Sequence, residues 1–289
     1  MIRSVVKNII TSPLRMVRRT LAKSSVGKLM LHPHVKVRAV GMALSETLNN
    51  VLSTDERDWI KRIEDRRKSL LNSDQEISVI AYGAGTPSTT RTMEEMKAGV
   101  QSKGLVRNIS KASKAPFWAK LLFKLIRTLK PSTCIELGSC VGISASYMSA
   151  AFKLNGGGVL KTLEGSPGTA EVAKESLQGL GFENATVVVG PFHATLAGVL
   201  QTAKPIDFFF NDGHHHRDAV LEYFEQSLPF LTEDAVIIVD DISWSPGMKN
   251  AWEQIENDER VLITVDLQHI GIAILGKQPG AKEKYRIPL

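Results

Sequence analysis

The second half of the chain alternates short apolar runs with amphipathic stretches. Seven of these runs have the length of buried β-strands: residues 133–137, 159–163, 185–189, 206–210, 235–239, 261–267 and 270–275. Because strands that alternate with helices build a mostly parallel sheet covered on both faces, the pattern predicts an α/β fold. The last two runs are too close together for a crossover helix, so the last strand is expected to be antiparallel.

Upstream of these runs, the pattern predicts mainly helices. Ser53 and Glu56 have the spacing of a capping box, before a helix that should end near Asn72. A short strand is predicted over 77–82, and a further helix over 93–100.

The stretch 117–129 repeats its apolar positions at helical spacing until Pro131 ends the pattern. Most of its cations fall on the opposite face: Lys120, Lys124, Arg127 and Lys130. We expect this helix to cover an edge of the sheet. The chain then divides into a basic amphipathic arm over 1–50, a helical cap or extension over 51–115, and a Rossmann-like seven-stranded domain over 116–289.

Composition and charge change this picture only at the N-terminus. With 43% apolar and 23% charged residues, the 289-residue chain has ordinary globular composition, which excludes a disordered or collagen-like protein. The net charge of +6 arises before Glu46, the first acidic residue. Nine cations precede it: Arg3, Lys7, Arg15, Arg18, Arg19, Lys23, Lys28, Lys36 and Arg38. The basicity therefore belongs to the arm.

Apolar residues interleave with the cations of the arm, as in a basic amphipathic helix that lies on an anionic membrane surface. The same Arg-rich, acid-free composition is typical of a mitochondrial transit peptide, and a solvated tail is the third interpretation. No apolar run approaches the roughly 20 residues that span a bilayer. Cys134 and Cys140 lack partners at disulfide or zinc spacing, which favours a reducing compartment. We expect a cytoplasmic protein, with peripheral membrane contact as one role for the arm.

Ligands of such folds bind at the carboxyl ends of the strands, so the residues that follow each strand are functional candidates. The first strand contains Glu136, and Gly138 and Gly142 follow it, where missing Cβ atoms let a ligand approach the backbone. The loop lacks the G-x-G spacing that binds a pyrophosphate, which favours a ligand without phosphates. Glu164 follows the second strand, and its carboxylate can accept hydrogen bonds from ribose hydroxyls. Together these residues predict an adenosine-containing cofactor.

With these motifs the chain resembles the class I S-adenosylmethionine-dependent methyltransferases, and among them the O-methyltransferases, over roughly 117–276. The motifs that carry the resemblance follow five successive strands: Glu136-x-Gly138-x-x-x-Gly142, Glu164, Gly190-Pro191-Phe192, Asn211-Asp212-Gly213-His214-His215 and Asp240-Asp241-Ile242-Ser243-Trp244. The resemblance implies S-adenosyl-L-methionine (SAM) as cofactor and an antiparallel last strand. The implied cofactor-binding residues are Glu136, Gly138, Ser139, Gly142, Glu164, Gly165, Phe192 and Asp212.

Two overlapping sets of residues are candidates for the transfer step. In metal-dependent O-methyltransferases of similar pattern, one acid after the fourth strand and a pair after the fifth bind a divalent ion. Asp212, Asp240 and Asp241 match those positions, and carboxylate oxygens suit Mg²⁺, which would lower the pKa of an acceptor hydroxyl. Paired acids at strand ends also cap helices or meet basic neighbours, so a purely structural role is the alternative.

The second set is the histidine run from His214 to His216. Its Asp-Gly-x-His spacing resembles a motif of small-molecule O-methyltransferases, which indicates His215 as a catalytic base together with Asp212. Histidine suits proton abstraction because its ordinary pKa lies near neutrality. A cap for the following helix is the structural alternative. Trp244 lies on a loop at the same edge, where it can wall an aromatic acceptor or pack beneath the loop.

The sequence thus predicts an enzyme that uses SAM to methylate an oxygen of a small molecule, with Mg²⁺ as a candidate second cofactor. Three alternatives are an RNA methyltransferase whose arm binds phosphates, a non-catalytic cofactor-binding scaffold and a nicotinamide dehydrogenase. Nucleic acid is not the expected partner, because no Asn-Pro-Pro-Tyr-like motif follows the fourth strand. Acids and histidines at the strand ends argue against a scaffold, and the spacing of the first loop argues against a dehydrogenase.

Overall fold

The computed structural model describes residues 22–86, 89–276 and 282–289. Five of the nine cations of the predicted arm fall within 1–21, outside the described residues, so the membrane and targeting interpretations stay predictions.

The helices of the described residues are α1 (22–30), α2 (Val35–Leu48), α3 (Thr54–Leu71), α4 (Met93–Ala98), α5 (Val106–Ile109), α6 (Pro116–Leu129), α7 (Ile143–Asn155), α8 (Pro167–Gly179), α9 (Phe192–Ala203), α10 (Arg217–Ser227) and α11 (Pro246–Asn257). The strands are β1 (Glu76–Ala81), β2 (Gly85–Thr86), β3 (Thr89–Thr90), β4 (Val100–Leu105), β5 (Thr133–Leu137), β6 (Val159–Glu164), β7 (Ala185–Val189), β8 (Ile206–Asn211), β9 (Leu231–Asp240), β10 (Val261–Asp266), β11 (Ile270–Leu275) and β12 (Glu283–Arg286).

The central sheet has eight strands in the order β12-β10-β11-β9-β8-β5-β6-β7. Only β11 among these strands is antiparallel to its neighbours, which are β9 and β10. The prediction of a mostly parallel α/β sheet with one antiparallel strand at 270–275 is therefore confirmed. The predicted count of seven strands is one too low, because β12 pairs parallel to β10. Its residues, Glu-Lys-Tyr-Arg, lie at the sheet edge and contain no apolar run that would reveal a strand.

The strand order places the ends of four strands side by side. β5 pairs with β6 on one side and with β8 on the other, so the direction of winding changes at β5. In an open α/β sheet, such a switch point opens a crevice at the carboxyl ends of the strands. β9 pairs with β8, so the loops after β5, β6, β8 and β9 all meet at this edge.

Two hydrophobic cores lie on opposite faces of the sheet, because side chains alternate along each strand. Phe208 and Phe210 of β8 belong to one core, whereas Phe209 belongs to the other. Helices α2, α6 and α7 complete the first core, and α9, α10 and α11 complete the second. Burial on both faces explains why the strands appear in the sequence as continuous apolar runs.

The residues of the predicted arm that the structure describes are helical and packed against the rest of the protein. They form α1 and α2, and Leu29, Val37 and Leu44 of these helices join the first core. Lys36 Nζ lies 2.8 Å from Asp234 Oδ1 at the start of β9. These helices are therefore packed on the α/β domain. None of the described helices is long and apolar enough to cross a membrane.

Helix α3 begins with the predicted capping box. Ser53 Oγ accepts a hydrogen bond from the Glu56 N–H at 3.2 Å, and the Ser53 N–H donates to Glu56 Oε2 at 2.9 Å. The helix ends at Leu71, with Asn72 as its C-cap, as expected. Both predictions succeed because caps depend on residues within one helical turn.

The predicted extension contains strands as well as helices. β1 and β4 pair antiparallel over their whole lengths. The helix predicted over 93–100 stops early because Gly99, with φ of +72°, ends it before β4. β1 crosses α8 so closely that a Cβ on Gly168 would lie 2.2 Å from the carbonyl oxygen of Ser78. The extension is therefore docked on the α/β domain at the edge where the strands end.

The helix predicted over 117–129 is α6, and its cationic face is partly buried. Lys124 Nζ lies 2.7 Å from both Glu46 Oε2 and Glu56 Oε2, and the Lys124 side chain is only 2% exposed. Arg127 Nε lies 3.2 Å from the other oxygen of Glu56. Helix α2 and the capping box of α3 supply these carboxylates. The two helices therefore cover the cationic face of α6, for which the sequence pattern predicted no partner. α6 is thus an internal helix rather than the cover of a sheet edge.

Candidate active site

Glu164 ties together the loops that follow β5 and β6. The Cys140 N–H donates a hydrogen bond to Glu164 Oε2 at 2.9 Å, and the Ser166 N–H donates to Oε1 at 3.0 Å. In spite of these hydrogen bonds, burial raises the pKa of Glu164 to about 6. The carboxylate therefore orders both loops and still presents acceptor oxygens at the crevice.

The two glycines of the first loop have different packing roles. Gly138 has φ of +95°, and a Cβ there would lie 2.6 Å from the carbonyl oxygen of Asp212. Gly142 has φ of +83° at the start of α7, where a Cβ would lie 3.0 Å from the carbonyl oxygen of Ala173 in α8. Gly138 thus brings the loops after β5 and β8 together, whereas Gly142 lets α7 approach α8.

Glu136 lies beneath the first loop and is fully buried. Its Oε2 accepts a hydrogen bond from Thr162 Oγ1 at 2.5 Å, and Ser139 Oγ contacts the same hydroxyl. Glu136 Oε1 has no hydrogen-bond partner among the described residues. Burial raises the pKa of Glu136 to about 7. Glu136 and Ser139 therefore support the loop from below.

A cleft of about 260 Å³ opens where the strands end. Five of the eight residues predicted for the cofactor line this cleft: Gly138, Glu164, Gly165, Phe192 and Asp212. The other three, Glu136, Ser139 and Gly142, do not line it; they lie under the loop or between helices.

Phe192 begins α9 and lies against the loop that follows β8. A Cβ on Gly213 would be 2.3 Å from Phe192 Cε2, so only a glycine lets the ring approach this backbone. The Phe192 ring centroid is 5.0 Å from that of His214 and 5.8 Å from that of Tyr223. Phe192 therefore packs in the second core and offers one aromatic edge to the cleft.

The extension forms a wall of the cleft, which the sequence analysis missed. Ile80 and Tyr82 from the end of β1 line the cleft, as does Ala112 before α6. A Cβ on Gly165 would lie 2.6 Å from the Tyr82 ring, and the Ile80 N–H donates to Ser166 Oγ at 3.2 Å. No local signal marks these residues, because their place depends on how the extension docks.

Asp212 and Asp240 converge on the ammonium group of Lys114. Lys114 Nζ lies 3.0 Å from Asp212 Oδ2 and makes a shorter contact with Asp240 Oδ2. The three side chains are largely buried, with exposures of 11% for the lysine, 16% for Asp212 and 5% for Asp240. Two carboxylates in such surroundings repel each other when both are ionised. The lysine supplies the positive charge that they need.

The pKa directions agree with this arrangement. Burial and the neighbouring Asp240 raise the pKa of Asp212 well above its ordinary value. In spite of burial, the Lys114 ammonium lowers the pKa of Asp240. The two carboxylates also raise the pKa of Lys114, although burial opposes them. The lysine is therefore charged at neutral pH.

The predicted Mg²⁺ ligands do not come together as a triad of aspartates. Among the described residues, ligand atoms of Asp212, His215 and Asp240 lie within 4.8 Å of one another, and Asp241 is outside this group. Mg²⁺ binds oxygen ligands at about 2.0–2.1 Å, so an ion shared by the two aspartates would lie beside the Lys114 ammonium. A dication and an ammonium repel each other strongly at such separations. This arrangement therefore does not fit a divalent ion.

Of the three adjacent histidines, His214 packs against Tyr223 and His216 stands at the start of α10. His214 Nδ1 lies 2.5 Å from the Tyr223 hydroxyl oxygen, and burial lowers the pKa of His214 to about 4. His214 is therefore neutral at pH 7. His216 is the N-cap residue of α10, but its side chain makes no capping hydrogen bond. The structural alternative of a side-chain cap does not apply to it.

His215 faces the acidic residues. Its Nε2 lies 3.8 Å from both Asp212 Oδ1 and Asp241 Oδ2. Burial lowers the pKa of His215, so the imidazole is neutral and able to accept a proton at pH 7. Both His215, at φ of +31°, and Asp241, at +52°, occupy the left-handed backbone region, which is sparsely populated by non-glycine residues.

A second cavity of about 350 Å³ adjoins the cleft and shares His215 with it. Trp244 and Arg91 line it, together with residues near the end of β1. The ring centroids of His215 and Trp244 are 6.0 Å apart. Arg91 Nη1 donates to the carbonyl oxygens of Ala81 and Gly83, which holds the turn after β1 in place. Trp244 lines this cavity and also packs against the second core, so its role as a wall for an aromatic acceptor stays a prediction.

Comparisons with known proteins agree with this geometry. Residues 135–242, from β5 to just beyond β9, match a family described as a methyltransferase domain. No curated protein sequence is significantly similar to the chain.

Solved structures share the fold. An O-methyltransferase from Bacillus cereus in complex with S-adenosylhomocysteine (SAH) has 23% identity and a TM-score of 0.50, over 58% of this chain and 84% of that one. An SAH-bound methyltransferase from Podospora anserina has 17% identity and a TM-score of 0.51, over 58% and 82% of the two chains. A putative O-methyltransferase from Klebsiella pneumoniae has 18% identity and a TM-score of 0.52, over 80% and 94%.

Over residues 135–242 the chain is therefore similar to methyltransferase domains, and it shares the fold of SAH-bound methyltransferases. The resemblance stated from the sequence is confirmed at this level. The domain match includes the loops after β5, β6, β7 and β8, which line the cleft, and excludes the wall that the extension contributes.

Proposed function

We propose that the chain is a SAM-dependent O-methyltransferase that acts on a small molecule with a free hydroxyl group. The observation that carries this proposal is the position of His215, which lines both the cleft and the adjoining cavity. Methyl transfer is an in-line displacement, so donor and acceptor must meet at one point. A neutral imidazole at the junction of the two cavities can remove the acceptor proton there.

SAM, when bound in the cleft, supplies an electrophilic methyl group on a sulfonium sulfur. Glu164 offers a carboxylate to the ribose hydroxyls, Phe192 offers an aromatic edge to the adenine, and Gly138 allows close approach to the backbone. The bound cofactor would supply its methyl carbon to the acceptor oxygen and would keep the electron pair of the carbon–sulfur bond on its sulfur. His215 takes the hydroxyl proton.

The two carboxylates near His215 assist this proton transfer. Asp212 Oδ1 and Asp241 Oδ2 both lie 3.8 Å from His215 Nε2. Among the neighbouring acids, Asp240 and Asp241 raise the pKa of His215 against the effect of burial, so they favour the imidazolium that forms when His215 accepts the proton. Asp212 lies beside His215, and its catalytic role stays a prediction. Mg²⁺ has no part in the proposal, because the surroundings of Lys114 do not fit it.

The second cavity supports a small acceptor. Its volume of about 350 Å³ is within the range of small-molecule sites, and Trp244 gives it one aromatic wall. Oxygen as the acceptor atom is supported by the similar structures described as O-methyltransferases, from Bacillus cereus and Klebsiella pneumoniae. It is also supported by the presence of a base, because a hydroxyl must lose a proton during transfer.

Calorimetric titration with SAH tests the cofactor, with NAD⁺ as the comparison ligand. We expect micromolar binding of SAH and none of NAD⁺, and a protein that does not bind SAH would contradict the proposal. Methyl-labelled SAM, offered with a panel of hydroxyl, amine and thiol compounds, then identifies the acceptor. Label on a hydroxyl oxygen supports the proposal, whereas label on amines alone contradicts it.

A further inference from the structure

Lys114 belongs to the extension, whereas the two aspartates that it contacts, Asp212 and Asp240, stand at the ends of strands of the central sheet. It lies between the short 3₁₀ helix Ser110–Ala112 and the start of α6 at Pro116. The thiol of Cys140, in the loop after β5, donates to the carbonyl oxygen of Ile109 at 3.8 Å. The segment that carries the lysine is therefore tied to the cofactor loop, and the ammonium is held by the fold.

The Lys114 ammonium contacts the aspartates and lines neither cavity. It lies 5.9 Å from the centroid of the Phe210 ring, at the floor of the site. Asp212 connects it with the base, because Asp212 Oδ2 meets Lys114 at 3.0 Å while Asp212 Oδ1 faces His215 at 3.8 Å. The lysine can therefore act on the reaction only from outside the two cavities, through the carboxylates and through its charge near His215.

We propose that the Lys114 ammonium is the built-in cation of this site, standing where similar metal-dependent O-methyltransferases hold a divalent ion. It keeps Asp212 and Asp240 in one orientation beside His215 and excludes divalent ions from them. Lys114 is thus a positioning residue. Its effect on catalysis rests on the proposed function, whereas its effect on metal binding does not.

The first test measures Mn²⁺ binding to the full chain by electron paramagnetic resonance, with Mn²⁺ as a probe for divalent ions. We expect no binding to the parent protein at micromolar Mn²⁺. Micromolar binding to the parent that Asp240→Asn abolishes would overturn the proposal. This measurement requires neither a methyl acceptor nor a folded Lys114 variant.

The second test removes the ammonium. In Lys114→Ala, the two aspartates lose their cation, and we expect Mn²⁺ to bind at least about 100-fold more tightly than to the parent. The double variant Lys114→Ala/Asp240→Asn should lose this binding again. Lys111→Ala is the matched control, because Lys111 is exposed and, among the described residues, its ammonium hydrogen-bonds to Asn108 alone. If Lys114→Ala binds Mn²⁺ no better than Lys111→Ala, the proposal is wrong.

Activity distinguishes this inference from the proposed function. The parent should transfer methyl groups equally well with Mg²⁺ and with EDTA, whereas Lys114→Ala should lose activity and regain part of it with Mg²⁺. Lys114→Arg should keep metal-independent transfer, since it keeps the charge. A parent that EDTA inactivates would overturn the inference and leave the methyltransferase proposal intact, whereas a protein without SAH binding would overturn the proposed function alone.

Discussion

The ring of Tyr82 lies directly on Gly165, so that a Cβ at position 165 would stand 2.6 Å from Tyr82 Cδ2. Tyr82 follows β1 of the extension, Gly165 follows β6 of the central sheet, and both residues line the cofactor cleft. The extension therefore contributes to the cleft itself.

Replacing Tyr82 tests this wall. Tyr82→Ala should weaken SAH binding by about 1–2 kcal/mol, roughly 5- to 30-fold, because the cleft loses an aromatic surface. Tyr82→Phe keeps the ring and should bind SAH like the parent. Titration calorimetry measures both, and unchanged affinity in Tyr82→Ala would show that the extension does not take part in cofactor binding.

Glu164 is expected to be the main polar contact of the cofactor. Glu164→Ala should weaken SAH binding by about 1–3 kcal/mol through lost hydrogen bonds to a charged acceptor. Glu171→Ala is the control, because Glu171 is an exposed carboxylate on the neighbouring α8. Since burial raises the pKa of Glu164 to about 6, SAH affinity of the parent should also fall as the pH drops below that value. A pH-independent affinity would contradict the assignment.

Glu136 should make the stability of the ligand-free protein depend on pH. Its folded-state pKa of about 7 exceeds the ordinary value of 4.5, so the folded protein binds more protons between these values. The free energy of unfolding should therefore fall as the pH rises through this window, by about 3 kcal/mol for this group.

Glu136→Gln removes this titration. The difference in unfolding free energy between Glu136→Gln and the parent should shift in favour of the variant from about pH 5 to about pH 8. Urea denaturation at several pH values measures it. Parallel pH profiles for the two proteins would show that Glu136 keeps an ordinary pKa.

His215 is expected to act in the chemical step. His215→Gln should lower kcat by about 10²- to 10⁴-fold, the usual effect of losing a general base, with SAH affinity close to that of the parent. Because burial lowers the pKa of His215 below 6.5, kcat of the parent should rise with pH in the acidic range and level off by neutral pH. Steady-state kinetics with an identified acceptor measures both effects. Comparable kcat values for the two proteins would assign the base elsewhere.

The buried ion pair between Lys124 and Glu56 should matter for stability. Lys124→Met leaves Glu56 buried without its closest cation, and we expect a loss of about 3–5 kcal/mol in unfolding free energy. Lys61→Met is the control, because Lys61 pairs with Asp65 on the exposed face of α3, and its loss should change the unfolding free energy far less. Urea denaturation compares them, and equal losses would mean that burial of Lys124 adds nothing.

Much of the central sheet was predictable from local sequence. Three predicted strands, 133–137, 185–189 and 270–275, agree with the structure to the residue. Strands 133–137 and 270–275 were visible because they are buried on both faces, whereas the edge strand 185–189 was visible through its run of β-branched residues. The edge strand β12 has little to bury and therefore leaves no such signal.

The cofactor loop was predictable as a motif but not residue by residue. Gly138 and Glu164 line the cleft, whereas Glu136 and Gly142 of the same motif lie beneath the loop or between helices. Spacing along the chain places a residue in a loop. Which side of the loop faces the ligand depends on the helices and strands that pack against it.

The sequence by itself determined the alternation of strands and helices from β5 to β11 and the presence of Glu164, Asp212 and Asp240 at the strand ends, because periodicity and strand ends are local properties. Only the tertiary structure decided that Lys114 lies between the two aspartates. Lys114 and Asp240 are 126 positions apart, and Lys114 was one of many cations in the sequence. Lys114 pairs with the aspartates because it is buried close to them. Both its burial and its proximity arise only when the extension docks against the ends of β8 and β9.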